Sequence, residues 1–166
     1  MNDDIFTYRD ILKKKFLKKL KKYCAYQERC HFDVNKKLHQ LKADEELANE
    51  IISELINENY LNEQRFALAY VRGKHRINKW GKNRILNELK KRNISAYLIQ
   101  KSLEEITETE YKMALLHLLE VKNKTIKAKN IYERKQKLFS YAYAKGYETD
   151  LINEIIEDIF SHYDST

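Results

Sequence analysis

Laying residues 93–106 (NISAYLIQKSLEEI) over residues 146–159 (GYETDLINEIIEDI) brings Leu98, Ile99, Leu103 and Ile106 onto Leu151, Ile152, Ile156 and Ile159 without a gap, at an offset of 53 residues. Residues 42–55 (KADEELANEIISEL) join the same register at an offset of 51, with Leu47, Ile52 and Leu55 on the shared apolar positions. Upstream, Val34 and Leu38 fall on Ile85 and Leu89, and these on Leu138 and Ala142. A unit of roughly fifty residues, read three times, accounts for the whole chain, and repetition at such a period marks a tandem array rather than a single irregular core.

The unit reads as helical. Apolar residues recur at spacings of three and four. The 166 residues include no proline and only three glycines, so the punctuation of strand-and-turn proteins is missing. Three helices fit each copy. In the middle one Asn62 stands as N-cap of a helix whose apolar face is predicted as Phe66, Ala69, Tyr70 and Ile77. Gly81 marks the turn into a second helix with Ile85, Leu86 and Leu89, and Ser95 caps a third. A side-chain oxygen at such a position accepts an otherwise orphaned amide hydrogen of the first turn. Thr7 with Asp10 and Thr107 with Glu110 read as capping boxes, and Asp44 occupies the Ser95 position. The stretch from Lys124 to Leu138 reads as a long connection between the first two helices of the third copy. Helices this short cannot bury their apolar stripes alone. The predicted fold is all-α: three tandem three-helix repeats, residues 1–61, 62–106 and 107–166, stacked into an elongated curved array.

The formal charge is +7, and it is segregated. Residues 9–22 carry eight Lys or Arg against Asp10 alone, residues 72–92 nine against Glu88, and residues 121–137 seven against Glu133. Residues 44–58 carry six acids and residues 148–158 five, with no base in either. Stacked with similar orientation, such units would gather their cations into a ridge that an anionic partner can answer. No apolar run approaches the roughly 20 residues that span a bilayer, and the first ten residues lack the order of a secretion signal, so a soluble, cytoplasmic protein is expected. Cys24 and Cys30 have no second pair and no histidine at finger-like spacing, which predicts buried thiols and no zinc. His31, His39, His75, His117 and His162 show no ligand spacing and are expected at the surface or a boundary. Phe66, Tyr70, Phe139, Tyr143 and Tyr147 fit core positions. There is no phosphate-binding glycine loop, no His-Glu-x-x-His and no paired nucleophile and base, so neither an enzyme nor a cofactor is expected.

These residues also resemble the RecX family of recombinase regulators, over about residues 20–160. In the first copy Arg29, Cys30, Asp33, Val34, Lys37 and Leu38 follow the family's Arg-Ser-x-x-Glu-Leu-x-x-Lys-Leu pattern. In the middle copy the match runs through Leu61, Arg65, Phe66 and Ala67, then Gly81, Arg84 and Ile85, then Glu88, Leu89 and Ile94. In the third copy Lys145, Gly146 and Tyr147 follow its Arg-Gly-Phe closing motif. Asn62 and Glu63 replace paired aspartates, Lys42 and Asn93 stand where glycine is common, and Cys30 replaces serine. The resemblance implies an all-helical binder of RecA filaments that restrains ATPase and strand exchange and favours disassembly; a monomer is expected.

The candidate contacts are Arg29 and Lys37 in the first copy, and Arg65, Arg72, Lys74, Arg76, Lys79, Trp80, Lys82 and Arg84 in the middle one. Their expected partners are the RecA filament and single- or double-stranded DNA, bound without sequence preference and with a strong salt dependence, since phosphate contacts release counterions. Trp80 precedes Gly81 and reads either as junction packing or as an aromatic face offered to a partner; the two are compatible. The alternative is a general DNA-binding protein of helix-turn-helix type, with the second helix of the middle copy in the major groove. A helical adaptor is the third reading. The stripe Tyr8, Leu12, Phe16, Leu20 and Tyr23 among lysines also suits a membrane-surface helix, but packing within the repeat explains it better.

Overall fold

The computed structural model describes residues 7–161; His162 lies outside them. Nine helices are present among the described residues, in three sets of three. They are α1 (Tyr8–Tyr26), α2 (His31–Gln40) and α3 (Glu45–Asn57); α4 (Glu63–Arg76), α5 (Lys82–Lys91) and α6 (Ala96–Leu103); and α7 (Glu108–Asn123), α8 (Ile131–Lys145) and α9 (Thr149–Ser161). The chain forms two compact units. Met1–Ala69 with Arg92–Ile94 makes the first, and Tyr70–Lys91 with Ser95–Thr166 the second, so that α4 begins in one and ends in the other.

The repeat seen in the apolar pattern is present in the backbone. Val34, Ile85 and Leu138 are all buried at the same place on α2, α5 and α8, and Leu38, Leu89 and Ala142 one turn later. Each of these helices ends on a left-handed residue, at Lys42 (φ 59°), Asn93 (φ 58°) and Gly146 (φ 97°), which keep the offsets of 51 and 53. Two such ends close identically. Ala43 N–H returns to Leu38 O at 3.1 Å, and Tyr147 N–H returns to Ala142 O at 3.3 Å. These long bonds satisfy carbonyls that the helix itself leaves open.

In the first unit Phe16, Leu20 and Cys24 of α1, Val34 and Leu38 of α2, and Leu47, Ile51 and Leu55 of α3 make one core, with Leu12, Leu17 and Tyr23 packed against it. Each fully buried aliphatic side chain stabilises by roughly 1.5–3 kcal/mol, so the α1 stripe belongs to the core and not to a membrane surface, although Tyr8 is exposed. Thr7 and Asp10 form the reciprocal cap of α1. Cys30 takes the serine's place ahead of α2. Its N–H and thiol both point at Asp33 Oδ2, at 3.4 and 3.3 Å. Burial pushes the Cys30 thiol up to about 12 and Cys24 up to about 11, so both stay protonated.

Several expectations need correction. The buried face of α4 is Phe66, Ala67, Val71 and His75, whereas Ala69 and Ile77 are exposed. His75 is therefore a core residue, only 2% exposed. Tyr143 is exposed and stacks on Phe139, with ring centroids 6.0 Å apart. The connection in the third repeat is confined to residues 124–130, because Asn130 accepts from Glu133 N–H and starts α8. At α7 Thr107 caps Glu110 N–H, but the Glu110 carboxylate turns instead to Arg76. Asn62, Asp44 and Ser95 cap their helices as expected.

Candidate partner-binding site

Much of the segregated charge is answered within the chain. Arg9 meets Glu46 and Glu50, Lys13 meets Glu50 and Glu54, and Lys21 meets Glu58, a ladder whose order shows that α1 and α3 run parallel. In the third repeat Lys112 of the first helix reaches Glu154 and Lys135 of the second reaches Glu157, both on the third helix. Sequence distance hides this compensation, since the acids lie far downstream of the bases they meet.

Arg65 is committed in the same way. Its Nε donates to Glu28 at 2.7 Å, Nη1 to Asn59 Oδ1 at 3.0 Å, and Nη2 to the carbonyls of Asn59 and Tyr60 at 3.0 and 3.5 Å. The guanidinium thus fastens the end of α3 to the start of α4. Arg72 pairs with Glu105 at 2.6 Å and Arg76 with Glu110 at 3.1 Å, both with half or more of the side chain exposed. Such exposed pairs are worth only a few tenths of a kcal/mol to about 1 kcal/mol each, so a partner can exchange them.

Among the described residues Lys74, Lys79, Lys82 and Arg84 form no ion pair; Lys74 and Arg84 lie against Trp80, Lys79 precedes it in the chain, and Lys82 Nζ stands 4.9 Å from the Tyr111 ring centroid. The half-buried indole has Lys74 Nζ 4.8 Å and Arg84 Cζ 4.0 Å from its centroid. Each contact of this kind is worth about 0.5–2 kcal/mol, depending on desolvation. Trp80 is also fixed through its backbone. Its N–H donates to Lys74 O at 3.0 Å, and its carbonyl accepts from His75 Nδ1 at 3.0 Å, which places the His75 proton on that nitrogen.

The helix that follows is anchored end to end. Gly81 N–H donates to Lys145 O at 2.8 Å and Asn83 N–H to Gly146 O at 3.0 Å, so the free donors of the α5 start meet the free acceptors of the α8 end. Lys82 N–H donates to Tyr111 Oη at 2.9 Å, and that hydroxyl donates to Glu148 at 2.7 Å. Burial, with the Glu148 carboxylate second, pushes the Tyr111 phenol far above its ordinary range. Arg84 Nη1 adds a bond to Ala144 O at 3.3 Å. A Cβ on Gly81 would strike the Gly146 carbonyl and the Tyr147 amide, and one on Gly146 would strike Arg84. This close approach is why the glycines of both motifs are where they are.

Arg29 and Lys37 form a smaller version in the first unit. Arg29 Cζ lies 3.9 Å and Lys37 Nζ 5.8 Å from the Tyr23 ring centroid. At the offset of 51, Tyr23 and Arg29 fall on Lys74 and Trp80. The two places hold a ring and a cation in both repeats, with the roles exchanged. The pairing of first-helix end with second-helix start is therefore part of the repeat itself, and no single-residue comparison of the sequence reveals it.

The arrangement can hold an anionic group against an aromatic face on a rigid support. Among the described residues no group of three His, Cys, Asp or Glu side chains could hold a metal. No described helix is long and apolar enough to cross a membrane.

Comparison with known proteins places these repeats. Residues 62–103 match the family model described as RecX, second three-helix domain, and residues 109–156 match RecX, third three-helix domain. The chain is 26% identical over 152 residues to a regulatory protein RecX of Bacillus cereus strain AH820, covering 92% of this chain and 56% of that one. It is 26% identical over 159 residues to the regulatory protein RecX of Bacillus cytotoxicus, covering 96% and 58%. The chain thus spans a little over half the length of these curated relatives. A crystal structure of RecX from Lactobacillus salivarius superposes with a TM-score of 0.76 at 25% identity, covering 88% of this chain and 95% of that one. Another crystal structure of regulatory protein RecX shares the fold, with a TM-score of 0.78 at 23% identity over 88% of this chain and 71% of that one.

Proposed function

The chain belongs to the RecX family, and from that premise we propose that it binds RecA filaments on DNA, restrains their ATPase and strand exchange, and favours their disassembly. It does this by binding alone, through three-helix repeats at residues 1–61, 62–106 and 107–166. The contact surface of the second unit is Trp80 with Lys74, Lys79, Lys82 and Arg84, joined by Arg72 and Arg76 once their surface pairs open; Arg29 and Lys37 make a separate contact in the first unit. Arg65 serves as an internal tie and stands outside that surface. The observation that carries the reading is the Trp80 ring with two cations against it, on a junction where the N–H groups of Trp80, Gly81, Lys82 and Asn83 are all engaged. A rigid aromatic beside uncompensated charge is the make-up of an interface anchor.

The helix-turn-helix alternative is disfavoured by the same junction. In that mode the first residues of the second helix enter the groove, yet here they abut the end of α8 through Gly81 and Asn83. The experiment that tests the proposal is RecA ATPase on single-stranded DNA with increasing amounts of the protein, beside gel shifts on DNA alone. A dose-dependent fall in ATPase supports it. Unchanged ATPase with sequence-selective duplex binding would replace it with the groove-binding reading.

A further inference from the structure

The cations of α1 are of two kinds. Arg9, Lys13 and Lys21 face α3 and end on its carboxylates. Lys14, Lys15, Lys18, Lys19 and Lys22 are exposed, and among the described residues none of them lies within an ion pair. Lys14, Lys18 and Lys22 stand four residues apart in one row, which ends on Tyr26, 86% exposed and the last residue of the helix. Lys15 and Lys19 form a second row beside it. Steps of four residues advance about 6 Å along a helix. Like charges at this spacing repel and work against the helix that carries them, so the face keeps a field that only counterions or a polyanion relieve.

We propose that this face of α1 binds a single strand of nucleic acid, its phosphates along the lysine rows and an unpaired base on the Tyr26 ring. Lysine ammonium groups act as point charges and make no demand for a fixed fork geometry, which suits a flexible backbone read without sequence. An exposed ring at the end of a cationic row is the stacking platform that such binders use. An anionic lipid surface is the weaker occupant, because an interfacial helix inserts its apolar face and that of α1, Phe16, Leu20 and Cys24, is spent in the core. The site needs no recombinase and no residue of α4 or α5, so it stands or falls separately from the function proposed above.

The test is fluorescence anisotropy of a labelled oligothymidylate with the full chain, without recombinase, between 50 and 200 mM salt, these concentrations being those over which counterion release is normally read. Lys14→Gln, Lys18→Gln and Lys22→Gln together keep good helix formers in place. They should make the slope of log affinity against log salt shallower by about 2, since each single-strand phosphate contact contributes about 0.7. Lys13→Gln with Lys21→Gln, from the paired face, should leave the slope as it was. Tyr26→Ala should weaken single-strand binding roughly five- to a hundredfold and leave a duplex of equal length almost unaffected. An unchanged slope in the triple variant, an equal loss from the paired-face variant, or an equal effect of Tyr26→Ala on duplex would overturn the proposal. So would loss of flotation with anionic phospholipid vesicles in the triple variant while oligonucleotide binding persists.

Discussion

At Lys42 the backbone φ is 59°, a conformation in which an L side chain crowds its own carbonyl at a cost of about 1–2 kcal/mol. The helix ends there because the left-handed turn lets Ala43 N–H reach back to Leu38 O, and glycine would make the same turn without the crowding. Lys42→Gly is therefore expected to raise stability by about 0.5–1 kcal/mol, after the extra chain entropy of glycine is subtracted. In a thermal melt that is a rise in Tm of about 1–4 °C for a chain of this size. Asn93→Gly, at the matching position of the next repeat, should gain less, because asparagine already tolerates the left-handed region. A fall in Tm for Lys42→Gly would show that the lysine makes a contact worth more than its strain.

Between elements, the second unit adds to its buried core a tie in which one helix start is seated on another helix end. Gly81 and Gly146 let the two backbones close to hydrogen-bond distance, and no side chain larger than hydrogen fits between them. Gly81→Ala is expected to destabilise by about 2–3 kcal/mol through forced separation and lost bonds, and to lower Tm by about 5–10 °C. A melt within 1–2 °C of the parent, the shift of well under 1 kcal/mol, would mean the junction yields. Gly81 and Gly146 were legible in the sequence as motif positions, but the fact that they meet each other was not, because they lie in different repeats. The same limit explains the other errors. The face of α4 is ambiguous in the sequence because Ala69, Tyr70 and Ile77 also fit a helical stripe, and only packing selects Val71 and His75. The basic runs of α1 and α4 looked uncompensated because Glu50, Glu54, Glu105 and Glu110 answer them from across the fold. The repeat itself was legible down to its offsets, since buried positions such as Val34, Ile85 and Leu138 must recur wherever the same three helices pack.

For the molecule as a whole, an excess of seven positive charges says little until internal pairs are set aside. Among the described residues the cations outside any ion pair include the outer rows of α1, and Lys74, Lys79, Lys82 and Arg84 in the second unit. Surface charges of this kind govern encounter and salt dependence more than fold stability, so removing them should change binding more than the melt. The most direct measurement is RecA ATPase on single-stranded DNA, titrated with the parent chain and with a variant carrying Lys74→Gln, Lys79→Gly and Lys82→Gln. Glycine suits position 79, where φ is 58°, and among the described residues none of the three lysines has a carboxylate partner to orphan. The half-maximal inhibitory amount should rise at least about tenfold, a loss of about 1.4 kcal/mol, with a melt no more than about 4 °C from the parent, the relief of backbone strain at position 79 included. Inhibition at the parent concentration by a folded variant would contradict the placement of the recombinase contact at Trp80.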